Sequence, residues 1–249
     1  MILRRVIEHV RHQEWTAIGI DFVIVVFGVF FGIQVANWNE DRLTRAKAEV
    51  FTARLKEDLK AEAWRYQFLL EYYRDVRDAT EAAADALSGK APLSNEVFLV
   101  HAYRATQYKQ GASRRATYDE LISTGNVGLI EDRKLLNLAV RAYSVVTIDA
   151  TVKEGVESPY RALFRMSVSN DTQRALAKQC GDRYILPGDY TDFDHVIDYA
   201  CESGLPDAEV DAAAEALRAD PQTLRFLRLR VADLETRLAD LTGNNRDVF

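Results

Sequence analysis

Apolar residues fill the chain almost without interruption between two tryptophans, Trp15 and Trp38. The run from Thr16 to Val35 comprises about 20 residues, and a helix rising about 1.5 Å per residue over that length crosses a hydrocarbon core of about 30 Å. Tryptophan is enriched at the two membrane interfaces, so Trp15 and Trp38 are predicted as interface anchors. The pattern predicts a transmembrane helix over residues 16–38, surrounded by the lipid bilayer.

A short basic head before an apolar core is also typical of a secretory signal peptide. The core here is long for a signal peptide. Gln34 also stands two positions before Ala36, where a cleavage site requires a small residue. We therefore predict that the segment is retained, and the alternative is a cleaved signal with an atypical site.

Helical periodicity dominates the sequence after the apolar run. From Asn37 to Leu87 there is neither Gly nor Pro, and apolar residues recur every three or four positions. This spacing predicts that the membrane helix continues into one long helix with nearly the coiled-coil period, ended by Gly89. Capping residues and helix breakers predict later helices over 94–110, 117–125, 132–156, 160–177 with a break near 167–170, 208–219 and 221–241.

No alternating strand pattern of useful length is present, so the predicted fold class is all-α. We expect an N-terminal transmembrane helix that continues into a long helix, followed by an antiparallel helical bundle. The predicted organisation is a cytoplasmic tail at 1–15, the transmembrane helix at 16–38 and an extracytoplasmic helical-bundle domain at 39–249. Charged residues make up 28% of the 249 residues and the net charge is -6, which disfavours nucleic acid as a partner because no compact basic cluster offsets it.

Two cysteines, Cys180 and Cys201, bear on orientation, which the basic residues leave open because they flank both ends of the apolar run. They lie in a region rich in Gly, Pro and Asp, and a disulfide there would stabilise the fold by about 3 kcal/mol. Such bridges persist outside the reducing cytosol. We predict a Cys180–Cys201 disulfide, a cytoplasmic N-terminus and a periplasmic C-terminal domain; the alternative is two buried free thiols.

Asp21 is the one strongly polar residue inside the apolar run. An acid in a membrane helix costs up to about 3 kcal/mol at the bilayer centre, so it tends to have a partner. Helical spacing places it on one face with Val35 and with a Gly-x-x-x-Gly pair that permits close helix approach. The predicted membrane-helix contact face, toward a second copy or an unrelated subunit, comprises Asp21, Val25, Gly28 and Gly32. The alternative is that Asp21 reaches the interface or is protonated and that the glycines are incidental.

No catalytic signature is present in the sequence. It lacks a His-Glu-x-x-His pair, a Gly-x-Ser-x-Gly elbow, a phosphate-binding loop and a dinucleotide-binding glycine pattern. We predict no catalytic residue, no cofactor and no metal ligand. An acidic loop does not match an EF-hand, and helix capping and solvation explain it better than Ca²⁺; its members are Asp182, Asp189, Asp192, Asp194, His195 and Asp198.

Two further groups could bind ligands. Five aromatic residues follow one another in the long helix and occupy more than one face, which favours core packing over a ligand pocket: Trp64, Tyr66, Phe68, Tyr72 and Tyr73. Arg114 and Arg115 could recognise an anionic group, although a solvated turn is favoured.

Two sequence blocks carry a resemblance to a known family. The first runs from Phe27 to Val35 and closes on Asn37-Trp38-Asn39-Glu40; the second runs from Thr117 to Asn126 and is followed by Leu129-Ile130. Together they resemble an uncharacterised bacterial family of single-pass membrane proteins, a domain of unknown function. This sequence has Asp21 where that family usually has Glu, and Val35-Ala36 where an Ile-Asn pair is usual. The resemblance implies the bacterial inner membrane and no assigned reaction.

These features favour a non-enzymatic interaction or accessory-subunit protein that docks on other membrane or envelope proteins, or on a second copy of itself. The alternative is a ligand-sensing periplasmic domain that signals through the membrane helix of a partner. A metal-assisted enzyme is the third hypothesis.

Overall fold

The structure is a computed structural model that describes residues 15–144, 147–191 and 193–244. Its described residues form α-helices and two short 3₁₀ turns, with no strand among them, which confirms the all-α fold class. The helices are α1 Trp15–Ser88, α2 Asn95–Arg104, α3 Ala116–Ser123, α4 Arg133–Tyr143, α5 Thr147–Val156, α6 Pro159–Ser167, α7 Asn170–Cys180, α8 Asp207–Ala219 and α9 Pro221–Asn244. The 3₁₀ turns are Asn126–Leu129 and Phe193–His195. The predicted cytoplasmic tail lies, apart from its last residue, outside the described residues.

Helix α1 is continuous over 74 residues, and its part from Asn37 to Leu87 was predicted from the absence of Gly and Pro there. It ends at Ser88, and Gly89 follows with a φ of 82°, a conformation that costs glycine little and L side chains much. Ser94 then caps α2 by accepting the N–H of Val97, and Asp132 caps α4 by accepting two N–H groups. Local capping chemistry therefore sets these boundaries.

The chain divides into two compact units, described separately here. The first comprises residues 15–54 and 121–131, and its buried apolar residues are Phe51, Leu121 and Ile130. The second comprises residues 55–120 and the described part of 132–249. In it, α2 packs against α7 and α8, and α9 packs against α5 and α6.

The second unit contains two apolar clusters. One joins the end of α1 to α2, α6, α7, α8 and α9, and includes the fully buried Phe98 and Tyr160. The other lies on the middle of α1, where Tyr72 and Val76 pack with residues of α9 and of the segment 193–197. The helices of this unit thus bury their apolar stripes against one another.

Three predicted boundaries were wrong. Helix α2 ends at Arg104 and not near Gln110, because the side chains of Thr106 and Gln107 both donate to the carbonyl of Tyr103. The segment predicted as one helix over 132–156 contains α4 and α5, and residues 145 and 146 between them are outside the described part. Helix α3 begins at Ala116, and the N–H of Thr117 donates to Asp58 of α1, so a distant carboxylate caps the helix.

Candidate functional site

The apolar part of α1 in the first unit is exposed along its whole length. Phe22, Phe27 and Phe31 expose more than half of their surface, and so do the predicted anchors Trp15 and Trp38. Large exposed apolar surfaces of this kind typically mark membrane or protein contacts.

By length and composition, two stretches of the described residues could cross a membrane. In Ile18–Ser88, the most apolar window has a mean hydropathy of 2.3 and 0% of it is buried. In Arg133–Ser167, the most apolar window has a mean hydropathy of 1.3 and 31% of it is buried. The second stretch passes through residues 145 and 146 and combines three helices, and Ser158 caps the last of these. The first stretch is the long apolar N-terminal helix that the sequence predicted.

Asp21 and the two glycines lie on one line along this helix. Positions that advance by about 100° per residue place Val25, Gly28 and Gly32 within about 40° of Asp21. A Cβ atom added at Gly28 or Gly32 would meet nothing within 4 Å, so this face is open in the first unit. The small residues leave the α1 backbone accessible to a second helix.

The same line continues beyond Trp38. Leu43 and Val50 expose 59% and 57% of their surface, and Ala46 and Ala53 are exposed between them. At about 100° per residue all four stay within about 40° of the line through Asp21. We call the whole stripe the docking face; it comprises Asp21, Val25, Gly28, Gly32, Val35, Asn39, Leu43, Ala46, Val50 and Ala53.

The part of the docking face beyond Trp38 was not predicted from the sequence. Its signal was available, because Leu43, Ala46, Val50 and Ala53 follow a 3-4-3 spacing that continues the spacing of the part before Trp38. The charged neighbours of these residues obscured it. Two of those charged side chains lie along α1 itself. Arg42 Cζ lies 5.9 Å from the Trp38 ring centroid, and Lys47 Nζ lies 5.8 Å from the Phe51 ring centroid.

Cys180 and Cys201 lie at disulfide distance in the second unit, with their Cα atoms 5.5 Å apart. Cys180 is fully buried at the end of α7. The guanidinium of Arg104 donates to the carbonyl of Tyr199 at 2.6 Å and contacts Cys201 Sγ at 3.4 Å. The Tyr199 hydroxyl donates to the carbonyl of Gly181 at 2.6 Å, so α2, α7 and the loop between the cysteines are joined by polar contacts.

A group of half-buried titratable side chains lies beside this loop. Burial, followed by the charges of Asp198, Asp78 and Glu71, raises the pKa of Asp75 to about 7. Burial also lowers the pKa of His101, and Asp75 Oδ2 and His101 Nδ1 have no hydrogen-bond partner. No local pattern in the sequence predicts this group, because Asp75 and Asp198 are far apart along the chain.

The aromatic run of α1 is mostly core. Tyr66, Phe68, Tyr72 and Tyr73 are buried, and Trp64 is half-buried. The Tyr72 hydroxyl donates to Asp182 at 2.9 Å, and burial raises the pKa of Tyr72 well above its usual value. Trp64 lines a cavity in the second unit.

The acidic loop does not converge on a metal site. Among the described residues, no three His, Cys, Asp or Glu side chains come together in a way that could hold a metal ion. Asp182 pairs with Lys109 at 2.8 Å, and Asp189 accepts from the backbone and hydroxyl of Thr191. Asp192 and the side chain of Asp194 are outside the described part.

No protein-family model, curated protein or solved structure matches this chain.

Proposed function

We propose that this protein is a non-catalytic, membrane-anchored accessory subunit that docks on another membrane protein, or on a second copy of itself, through the docking face of α1. One observation carries the proposal: the docking face runs along α1 from the half-buried Asp21 to the exposed Ala53, and beyond Trp38 it contains the exposed apolar residues of α1 in the first unit. A partner that covers this stripe has a helix beside α1 within the bilayer, and that helix continues beyond the bilayer.

The composition of the docking face supports helix packing. Gly28, Gly32, Ala46 and Ala53 permit close backbone approach, while Leu43 and Val50 project as larger side chains. Association in lipid depends on such packing and on polar contacts, because lipid is as apolar as the helices themselves. Asp21 is the polar group that a partner helix would satisfy.

In the proposed topology the N-terminus is cytoplasmic and the body is periplasmic, in a bacterial inner membrane. The pairing of Cys180 with Cys201 supports this orientation, since disulfides persist in the oxidising periplasm. The resemblance to the single-pass bacterial family agrees with this topology.

A membrane-impermeant maleimide should label Met166→Cys in intact cells, because Met166 is 80% exposed. Labelling only after lysis would contradict the orientation.

The docking proposal is tested by photocross-linking from single positions of α1 in native membranes. A benzophenone amino acid at Leu43 or Val50 should give a discrete protein adduct, whose mass distinguishes a second copy from another subunit. The same probe at the off-face positions Asp41 and Arg45, which are also exposed, is the matched control. Asp21→Leu combined with Gly28→Leu should weaken the adducts from Leu43 and Val50. Equal yields on and off the face, or only lipid adducts, would refute the proposal.

A further inference from the structure

A cavity of about 740 Å³ opens on α1 in the second unit. Residues 57–65 of α1 form its floor, and the loops at 111–114 and 187–190 form its rims. Its volume falls within the range of about 300–1,000 Å³ that is typical of small-molecule sites. We call it the Trp64 groove.

Two aromatic rings supply its apolar walls. Trp64 stacks on Phe68 with ring centroids 5.1 Å apart, and its indole N–H donates to the carbonyl of Asp189 at 2.7 Å. Tyr190, on the 187–190 rim, has its ring centroid 5.4 Å from that of Phe193. Ala61 also lines the groove. These contacts fix the Trp64 ring, so an apolar ligand would meet a preorganised surface.

The 111–114 rim is fastened to α1 by a buried carboxylate. Glu62 is 3% exposed and accepts the Ser113 hydroxyl at 3.2 Å and the Arg114 N–H at 3.1 Å. Arg65 pairs with Glu62 and also donates to the carbonyl of Gly111 at 3.2 Å. This network places the Arg114 backbone at the groove, and the Tyr143 hydroxyl holds it further by donating to the Arg114 carbonyl.

Most charges at the groove are already compensated within the chain. Lys60 pairs with Glu57 at 2.8 Å, and Arg65 pairs with Glu62. Asp58 accepts the Thr117 N–H at the N-terminus of α3, where the helix dipole favours a negative charge. Neighbouring Arg115 pairs with Asp119 at 2.9 Å.

Arg114 differs from the paired charged residues of the groove. Arg114 lines the groove, and among the described residues its contacts are those of its backbone: its N–H donates to Glu62 and its carbonyl accepts from Tyr143. An arginine at a groove with aromatic walls can offer a fork of N–H donors, which matches a carboxylate attached to an apolar body. We propose that the Trp64 groove binds a small aromatic carboxylate, with the ring against Trp64 and Tyr190 and the carboxylate on Arg114. This binding function is additional to docking and does not depend on it.

The test uses the full chain in lipid nanodiscs with 2-naphthoate as the probe. Trp15→Phe and Trp38→Phe leave Trp64 as the single tryptophan of the 3 in the chain, so its fluorescence reports the groove directly. We expect saturable quenching by 2-naphthoate. Arg114→Gln should raise the Kd about tenfold or more, since a hydrogen bond to a charged group contributes about 1.5–3 kcal/mol. The Kd of Arg114→Lys should lie between the Kd of the protein with Arg114 and that of Arg114→Gln.

Arg115→Gln is the matched control, because it removes an adjacent arginine that already has a partner; it should leave the Kd unchanged. Neutral 2-naphthamide should bind more weakly and be insensitive to Arg114→Gln. Octanoate should displace 2-naphthoate less well than an equal concentration of unlabelled aromatic carboxylate. Stronger displacement by octanoate would overturn the aromatic ligand class in favour of a fatty acid. Non-saturable quenching, or equal Kd values for wild type and Arg114→Gln, would overturn the proposal. Photocross-linking from Leu43 is unaffected by either outcome, so failure here leaves the docking proposal standing.

Discussion

The two parts of α1 that belong to different units differ in burial although both carry large apolar side chains. In residues 15–54, Phe27, Phe31 and Leu43 expose more than half of their surface. In residues 55–88, Leu69 and Tyr72 are at most 1% exposed. One continuous helix therefore contains a segment whose apolar side chains, apart from the buried Phe51, are mostly exposed and a segment that forms a core.

The difference shows what each segment requires. The second segment buries its side chains against other helices of its own unit, and the hydrophobic effect stabilises that packing. The first segment exposes apolar residues on all sides between Trp15 and Trp38, which is the pattern of a helix surrounded by lipid. Beyond Trp38 only one stripe stays apolar and exposed, and such a stripe fits one neighbouring helix.

The largest expected effect comes from placing charge in the first segment. Val26→Arg combined with Phe30→Arg should release the protein from membranes on alkaline carbonate washing, because each arginine near the bilayer centre costs about 3 kcal/mol. Gln67→Arg with Gln179→Arg adds the same charges at exposed positions of the second unit and should leave the protein in the pellet. Retention of the first variant would show that 16–38 is not a transmembrane helix.

A smaller effect is expected from truncating one leucine in each segment of α1 and comparing the losses of stability. Leu69→Ala should lower the free energy of unfolding by about 2–5 kcal/mol, because it removes a buried side chain and leaves a cavity. Leu43→Ala makes the same truncation on the same helix at a site that is 59% exposed, and should cost less than about 0.5 kcal/mol. Urea unfolding in nanodiscs, followed by circular dichroism, measures both. Similar losses would mean that Leu43 is covered, either within the chain or by a second copy.

The sequence allowed the prediction of α1 as one helix, since nothing between Asn37 and Leu87 breaks it and Gly89 supplies the stop. It also allowed the caps at Ser94 and Asp132, because each acts within three residues. The capping of α3 by Asp58 and the fastening of Arg114 by Glu62 join residues more than 50 positions apart, and local patterns carry no signal of such contacts. The docking face was predicted only as far as Val35, although its spacing continues to Ala53.

The smallest expected effect concerns a polar residue in the second segment. Asp75 lies on α1 with one carboxylate oxygen unpartnered, near Asp198, Asp78, Glu71 and Arg104, and its pKa is raised from 3.8 to about 7. The folded state therefore holds a proton that the unfolded state releases between these two values. Stability should fall as pH rises from about 4 to about 7 and then level off.

Asp75→Asn removes this titration and should raise the free energy of unfolding at pH 8 by about 1–2 kcal/mol, a figure discounted for the partial exposure of the carboxylate. The gain should shrink toward pH 4, where wild-type Asp75 is protonated in both states. Asp171→Asn is the control, because Asp171 is solvent-exposed beside Arg174 and should change stability by less than about 0.5 kcal/mol. Urea unfolding between pH 4 and pH 8 measures both variants. A gain that does not vary with pH would mean that Asp75 destabilises the fold through its shape and not through its charge.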